Sequence, residues 1–307
     1  MKRGSGEDPD AIVLTRLKGW LVVALASALA ACAAGPSRSL AGKSDVQRVR
    51  LAFLLLDKPE MPRVADVVAA FQRKEPTKRL PSLKGAERGS DTFVLDLGAE
   101  GSLVVGLIPR PVPQDEAEWH AQFSLPAASR GWKLPAHRAH LVVAWRETAS
   151  LAPLDSLRRF TWLLAATAEA AHAVAVYWPD SGATHPTDFF VSATGTDDPT
   201  ALMVVWSGVR IASDGGKPDR MSLVSLGMSQ LGLPDLELSV PRSWEKGKAL
   251  DRLHALLGCL AVRGAPIEEG DTVGSQAAEQ LRVHHVKSPV DPAKTVWRVE
   301  LPEKAAP

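Results

Sequence analysis

The sequence predicts an α+β protein made of two ferredoxin-like halves, each ordered β-α-β-β-α-β, with mostly antiparallel sheets and a linking helix. Two patterns carry this prediction. Apolar runs of strand length alternate with longer stretches in which apolar residues recur at helical spacing. Segments that contain glycine and proline separate neighbouring strand-like runs, as turns do. The alternative is one mixed sheet shared by both halves, with residues 139–145 beside residues 173–178.

The first half, residues 49–152, begins with an apolar run that is typical of a strand buried on both faces. Two later runs, 92–97 and 103–109, are separated by a short glycine-containing connection and are predicted to pair as a hairpin. The elements predicted for this half are strand 51–56, helix 61–73, strands 92–97 and 103–109, helix 114–123 and strand 139–145.

The second half, residues 153–302, begins with the strongest helical pattern of the chain, over residues 153–172. Ser243 is predicted to cap a helix over 244–261, because a serine hydroxyl accepts a hydrogen bond from the free amides of a first turn. Cys259 lies in this helix and is expected to be a small buried residue. The other elements predicted here are strand 173–178, helix 186–192, strand 202–211, two strands within 221–240, and strands 280–287 and 295–301.

The first 31 residues predict a signal peptide. Arg16 and Lys18 precede an apolar run of 13 residues, which is shorter than the roughly 20 residues that span a bilayer. The run ends in L-A-A-C, which resembles the lipobox of bacterial lipoproteins. We therefore expect Cys32 to be the lipidated first residue of the mature chain, followed by a flexible tether that completes residues 32–48. An ordinary signal peptide or an uncleaved anchor is the alternative.

Charge limits the classes of function. Residues 1–32 contain four of the 36 basic and three of the 35 acidic residues, so the mature chain is formally neutral. A nucleic-acid-binding protein and a polybasic membrane-surface protein would both show a clustered positive excess. We therefore expect no nucleic-acid partner, and we expect membrane attachment through the lipid on Cys32. The last residues, 303–307, are predicted to be a disordered tail.

Several short segments of the chain form a recognisable set. They are A-H-L-V-V at 139–143, A-V-Y-W at 175–178, H-P at 185–186, L-G-M at 226–228, G-L-P-D-L-E at 232–237 and G-D-T-V-G at 270–274. Together they resemble the bacterial family called domain of unknown function 4261, over about residues 49–302. The family has no assigned activity, so the resemblance implies a fold and no mechanism. Many of its members are similar to soluble intracellular proteins, and the lipobox departs from that pattern.

Four side chains are candidates for a binding site. His185 and Asp188 are three residues apart at a predicted helix start, where both could reach one metal ion or water. Two ligands are too few for a metal site, and the plain interpretation is that His185 orients the turn before Pro186. Asp235 and Glu237 share one face of a predicted strand. Paired carboxylates can do acid–base chemistry, although the plain interpretation is a solvated strand face.

One motif typical of an enzyme is rejected. The segment S-W-E-K at 243–246 matches the S-x-x-K of penicillin-binding proteins and serine β-lactamases. Those enzymes also need a K-T-G strand and an S-D-N loop, whereas Lys294 and Thr295 are followed by Val296 and no S-D-N occurs. We therefore expect no serine nucleophile here, and we predict no cofactor and no metal.

The expected function is a non-catalytic binding or interaction module that faces the periplasm and has a protein partner. Ala33, rather than an aspartate, follows the lipidated cysteine, which points to the outer membrane. The nine tryptophans are expected to serve packing first and a binding surface second. Two alternatives remain, an envelope hydrolase that uses His185 with Asp188, Asp235 or Glu237, and an immunity-type protein that neutralises a toxin.

Overall fold

The computed structural model describes the chain in five stretches, which are residues 48–74, 91–148, 151–214, 217–274 and 280–302. The signal peptide, Cys32, most of the tether and the tail at 303–307 lie outside the described residues. Within the described stretches, no helix combines the length and the apolar character needed to cross a membrane.

The first sheet has six strands. They are β1 (Arg48–Leu56), β2 (Thr92–Asp96), β3 (Gly101–Ile108), β4 (Ala139–Glu147), β5 (Ala175–Trp178) and β6 (Ala183–Pro186). Their order is β2-β3-β4-β1-β5-β6, and every neighbouring pair is antiparallel. β1 lies near the middle of the sheet, which is why its apolar residues are buried on both faces, as the sequence predicted.

The second sheet also has six strands. They are β7 (Gly208–Ser213), β8 (Arg220–Leu226), β9 (Leu236–Pro241), β10 (Thr272–Val273), β11 (Leu281–Lys287) and β12 (Thr295–Glu300). Their order is β10-β11-β12-β9-β8-β7. The β9–β12 pair is parallel and the other pairs are antiparallel. β7 is therefore an edge strand.

Seven α-helices occur in the described stretches. They are α1 (Val64–Lys74), α2 (Glu116–Ala121), α3 (Leu125–Arg130), α4 (Pro153–Ala170), α5 (Thr187–Ala193), α6 (Pro199–Trp206) and α7 (Lys246–Arg263). α1 packs on α4, and α6 packs on α7, which covers β8 and β9. On β5, Trp178 contacts Phe160 of α4, whereas Tyr177 contacts His120 of α2. Because side chains alternate along a strand, α4 and α2 cover opposite faces of the first sheet.

The α+β class is confirmed, since the chain has helices and two mostly antiparallel sheets. The ferredoxin-like detail is not confirmed. A split β-α-β unit places one strand between the two that its helix joins. Here β3 and β4 both lie between β1 and β2, because β4 pairs with all nine residues of β1. The alternative of one shared sheet also differs from the structure, since β1 separates residues 139–145 from β5.

Three local predictions are wrong. Of the predicted strand 202–211, residues 202–206 belong instead to α6, because Asp198 accepts a hydrogen bond from the amide of Thr200 and Pro199 occupies the first turn; residues 208–211 are in β7. Ser243 does not cap α7, whose N-cap is Glu245. Cys259 is exposed rather than buried, because it lies off the apolar stripe of α7 that faces the sheet.

The two sheets approach each other through backbone atoms. A Cβ atom on Gly227 would lie 2.7 Å from the carbonyl oxygen of Trp206 and 2.9 Å from that of Asp180. A Cβ on Gly208 would lie 2.8 Å from the carbonyl oxygen of Gly182. Gly227 also has a φ of 114°, in the left-handed region that side chains disfavour. The junction between the sheets therefore requires residues without side chains.

Replacing Gly227 by alanine should lower the free energy of unfolding more than replacing Gly232. Gly232 has a φ of 74° but no atom near its added Cβ, so Gly232→Ala should cost about 1–2 kcal/mol from backbone conformation alone. Gly227→Ala adds a clash with two carbonyl groups and should cost about 2 kcal/mol more. Urea denaturation measures both values, and equal losses would contradict the tight junction.

Candidate functional site

The four predicted binding residues lie on different elements. His185 is in β6, Asp188 is in the first turn of α5, Asp235 directly precedes β9, and Glu237 is in β9. Within the described part of the chain, no hydrogen bond or ion pair joins one of the four to another. Each therefore has its own surroundings.

His185 is completely buried among apolar rings. Its imidazole lies 5.9 Å from the ring of Phe189 and 6.2 Å from that of Phe190, measured between centroids. Burial lowers the pKa of His185 to about 3, the backbone of Val205 opposes the shift in part, and the nearby His254 adds to it. Neither ring nitrogen has a hydrogen bond of good geometry within the described residues. His185 is therefore a neutral packing residue at neutral pH.

His254 is a second buried histidine, close enough to His185 for its charge to affect the pKa of His185. It lies on α7, and burial lowers its pKa to about 4, against the opposing effects of Asp251 and the Leu250 backbone. Two buried neutral histidines thus stand close together between β6 and α7. Protonation of either one would place an uncompensated charge in the core.

The two aspartates have local structural roles. The exposed carboxylate of Asp188 accepts a hydrogen bond of 2.8 Å from the amide of Phe189, at the start of α5. Asp235 accepts hydrogen bonds from the amide of Met228 at 3.0 Å and from the hydroxyl of Ser225 at 3.3 Å. Burial raises the pKa of Asp235, and these hydrogen bonds limit the rise. Asp235 thereby fastens the bend after β8 to the start of β9.

Glu237 is buried rather than solvated, with an exposed fraction of 2%. Its Oε1 accepts hydrogen bonds of 2.6 Å from Ser222 and 2.8 Å from Arg298. Arg298 also pairs with Asp214 and Glu300. The second sheet therefore has an ion network on the face opposite α7. The network is buried at Asp214, Arg220, Ser222, Glu237 and Ser239, and it extends through Arg298 to Glu300 and Lys217 at the surface.

Strand register explains why these residues meet. Arg298 of β12 lies opposite Glu237 of β9, and Ser239 lies opposite both Ser222 and Glu300. The sequence carried a signal that was missed, since R-x-S at 220–222, E-x-S at 237–239 and R-x-E at 298–300 each repeat polar residues at strand spacing. Their shared period places them on one face of the sheet.

The chemistry of this network is electrostatic. Three carboxylates are matched in number by three cationic side chains. The described contacts join opposite charges, a charge and a hydroxyl, or, for Arg220, the backbone carbonyls of Ser239 and Leu301. Burial opposes ionisation of Glu300, but hydrogen bonds from Lys217 and Arg298 lower its pKa. A general acid needs a carboxyl held neutral near pH 7, which these ion pairs disfavour. The network is suited to fixing the register of β8, β9 and β12.

A second cluster that sequence reasoning missed lies between β5 and α2. The hydroxyl of Tyr177 donates a hydrogen bond of 2.6 Å to Glu116, and its ring stacks on Phe53 and His120 at 5.6 and 5.2 Å. α2 is shorter than the predicted helix 114–123, because Gln114 and Asp115 have left-handed φ values of 62° and 52°. Two adjacent non-glycine residues in that region imply local strain that the surrounding packing maintains.

The outer side of α2 presents aromatic side chains to solvent. Trp119 is 54% exposed, and the guanidinium of Arg210 lies 5.7 Å from its ring and 4.8 Å from the ring of Phe123. We call Trp119, Phe123 and Arg210 the α2 surface. Trp119 is in α2 and Phe123 follows it in the next turn, and their rings meet edge to face with centroids 5.7 Å apart. Arg210 comes from β7, so only tertiary structure reveals this surface.

Most other tryptophans are buried, as expected for residues that serve packing. Those with an exposed fraction below 10% are Trp145, Trp162, Trp178, Trp206 and Trp297. Among the described residues, no three His, Cys, Asp or Glu side chains are placed to share a metal ion.

The free energy of unfolding should fall on acidification because of His185 and His254. Their folded pKa values, about 3 and about 4, lie below the ordinary value of 6.5, so the unfolded chain takes up these protons first. The stability contribution of both histidines should be complete above pH 6.5. It should fall as the pH decreases, to about pH 4 for His254 and about pH 3 for His185, by up to about 1.4 kcal/mol per pH unit for each histidine.

Chemical denaturation at several pH values measures this slope. His185→Leu and His254→Leu should each reduce it. Phe190→Leu is the matched control, because it disturbs the same packing without removing a titrating group, and it should lower stability at every pH while the slope is retained. An unchanged slope in both histidine variants would contradict the assignment.

Comparison with known proteins agrees with the resemblance noted from the sequence over one part of the chain. The family model described as Domain of unknown function (DUF4261) matches residues 224–300, which include L-G-M at 226–228, G-L-P-D-L-E at 232–237 and G-D-T-V-G at 270–274. No curated protein and no solved structure matches the chain. The matched segment spans α7 and β9 to β12, together with the end of β8. The similarity to the family of unknown function DUF4261 therefore rests on residues 224–300.

Proposed function

We propose that the protein is a non-catalytic interaction module, held at the bacterial envelope by a lipid on Cys32 and facing the periplasm from the outer membrane. It binds a protein partner through the α2 surface. The observation that carries this proposal is the exposed Trp119 with the Arg210 guanidinium placed over its ring.

The α2 surface has the composition of a protein-binding site. Tryptophan and arginine are the residue types that most often dominate the energy of protein interfaces. Phe123 and Trp119 both contact the Arg210 guanidinium, so ordering this side chain costs less entropy when a partner binds. Ile211, the next residue of β7, has a large apolar side chain that is 41% exposed on the other face of this strand.

The contacts made by the four predicted site residues support an interaction module rather than a hydrolase. A side-chain catalytic site needs two or three groups that converge on one reacting atom. His185 is enclosed by phenylalanines, Asp235 holds a backbone turn, and Glu237 is paired with Arg298. These interactions account for each residue by packing or hydrogen bonding. If the partner is a toxin, the same interaction module would be an immunity-type protein.

Lipid attachment at Cys32 is tested by metabolic labelling. Wild-type protein should incorporate labelled palmitate and fractionate with membranes, because the thioether and amide acyl chains supply two or more anchors. Cys32→Ala should lose both the label and membrane retention. Cys259→Ala is the matched control and should keep both, since Cys259 is a free cysteine on α7. Labelling that persists in Cys32→Ala would refute lipid attachment at Cys32.

Binding through the α2 surface is tested by site-specific photo-crosslinking in cells. A benzoylphenylalanine at position 119 should give a discrete crosslinked protein band. The same probe at Val262, an exposed apolar position of α7, should give none. Arg210→Glu should reduce the yield at position 119 about tenfold, since it removes the cation that contacts both aromatic rings. Equal bands from positions 119 and 262 would contradict the proposal, and crosslinks to lipid alone would indicate membrane contact instead.

A further inference from the structure

We infer that the free edge of β7 receives an extended segment of the partner protein as an added strand. This inference rests on the proposed function and specifies how the partner is held. Strand addition uses the backbone of an exposed sheet edge for affinity and alternate side chains for specificity.

The direction of the backbone groups in β7 follows from one hydrogen bond. The amide of Val209 donates to the carbonyl of Phe123 at 3.0 Å, so it points away from β8. In the register, Val209 is opposite Ser225 and Ile211 is opposite Leu223. Positions alternate along an antiparallel pair, so Ile211 shares the outward direction of Val209. The amide and carbonyl of Ile211 therefore point away from the sheet.

This outward edge is open at Ile211. Within the described stretches, no backbone hydrogen bond reaches Ile211 from outside the β7–β8 pair, and its side chain is 41% exposed. Ser213, the next outward position, is also exposed. Among the described residues, its hydroxyl accepts one hydrogen bond, of 3.4 Å, from the exposed Arg242. Phe123 closes the edge at Val209. The open length is therefore short, about 10–15 Å at 3.3 Å per residue.

The side chains along β7 define the chemistry of the added segment. Ile211 is on the same face as Leu223, so the residue next to it in an added strand would extend the apolar layer. Arg210 is on the opposite face, within the α2 surface, and Arg242 lies at the far end. The apolar Ile211 on one face and the cation of Arg210 on the other favour a strand that alternates apolar and acidic side chains, and Arg242 adds positive charge at the end of the edge. A second copy of this chain would instead bring two more cations to the same place.

The direct test uses full-length lipidated protein in detergent and a labelled seven-residue peptide that alternates valine and glutamate. Wild type should bind the peptide, measured by fluorescence anisotropy. Ile211→Pro should weaken binding by tenfold or more, because it removes the outward amide, while the β7–β8 hydrogen bonds at neighbouring positions remain. Ile211→Val keeps the amide and should bind within about threefold of wild type.

A second measurement avoids any change to the protein. Two peptides are compared, one N-methylated at its odd positions and one at its even positions, because each set of amides lies on one edge of the peptide strand. Methylation of the edge that faces β7 should abolish binding, and methylation of the other edge should retain it. Absence of binding to wild type, equal binding by Ile211→Pro, or equal binding by both methylated peptides would overturn the inference. A dimer in sedimentation that Ile211→Pro converts to monomer would also overturn it, by assigning the edge to a second copy.

The same variants separate this inference from the proposed function. If crosslinking at position 119 persists in Ile211→Pro at full yield, the α2 surface binds a partner without an added strand, and only the inference fails. If position 119 gives no specific crosslink in wild type, the proposed function itself fails.

Discussion

The two sheets of this protein meet through backbone atoms, and the position of β7 depends on that contact. Gly208 and Gly227 lie within contact distance of carbonyl groups around residues 180–182 and 206, so neither position has room for a Cβ. The hydrogen bond from Val209 to Phe123 extends the junction to α2. As a consequence, Arg210 reaches the aromatic side chains of α2, and one edge of the second sheet lies beside an exposed tryptophan.

Charged groups inside each sheet specify register more than they add stability. In the first sheet, Arg50 donates to the hydroxyl of Ser156 at 2.9 Å, and Ser156 donates to Glu147 at 2.6 Å. Burial is the main cause that lowers the pKa of Arg50 to about 10, followed by the charge of Arg48. In the second sheet, Arg298 plays the corresponding part, since it pairs with Asp214, Glu237 and Glu300. Buried pairs gain little over apolar packing but strongly disfavour any strand shift that would separate them.

Local sequence patterns predicted many of the helices and strands, but they did not predict how distant strands pair. The strand at 51–56, the hairpin of β2 and β3, α4 and the final strand pair were predicted correctly, because their periodicity and turn residues lie in neighbouring sequence. α6 was missed because the apolar run L-M-V-V-W fits a buried strand or helix equally well, and only the cap at Asp198 and Pro199 separates them. The strand order depends on β1 pairing with β4, about ninety residues away, which no local pattern encodes. For the same reason, Glu237 could be foreseen on a polar strand face, whereas the contact of Trp119 with Arg210 could not.

The most direct test of this account is native-state amide hydrogen exchange along β7. The amides of Arg210 and Ala212 are expected to be protected by β8, and that of Val209 by Phe123, while that of Ile211 should exchange quickly. Fast exchange confined to Ile211 and its next outward neighbour, Ser213, would confirm an open edge beside the α2 surface. Strong protection of Ile211 in the protein alone would show that this edge is already occupied, and would contradict the account.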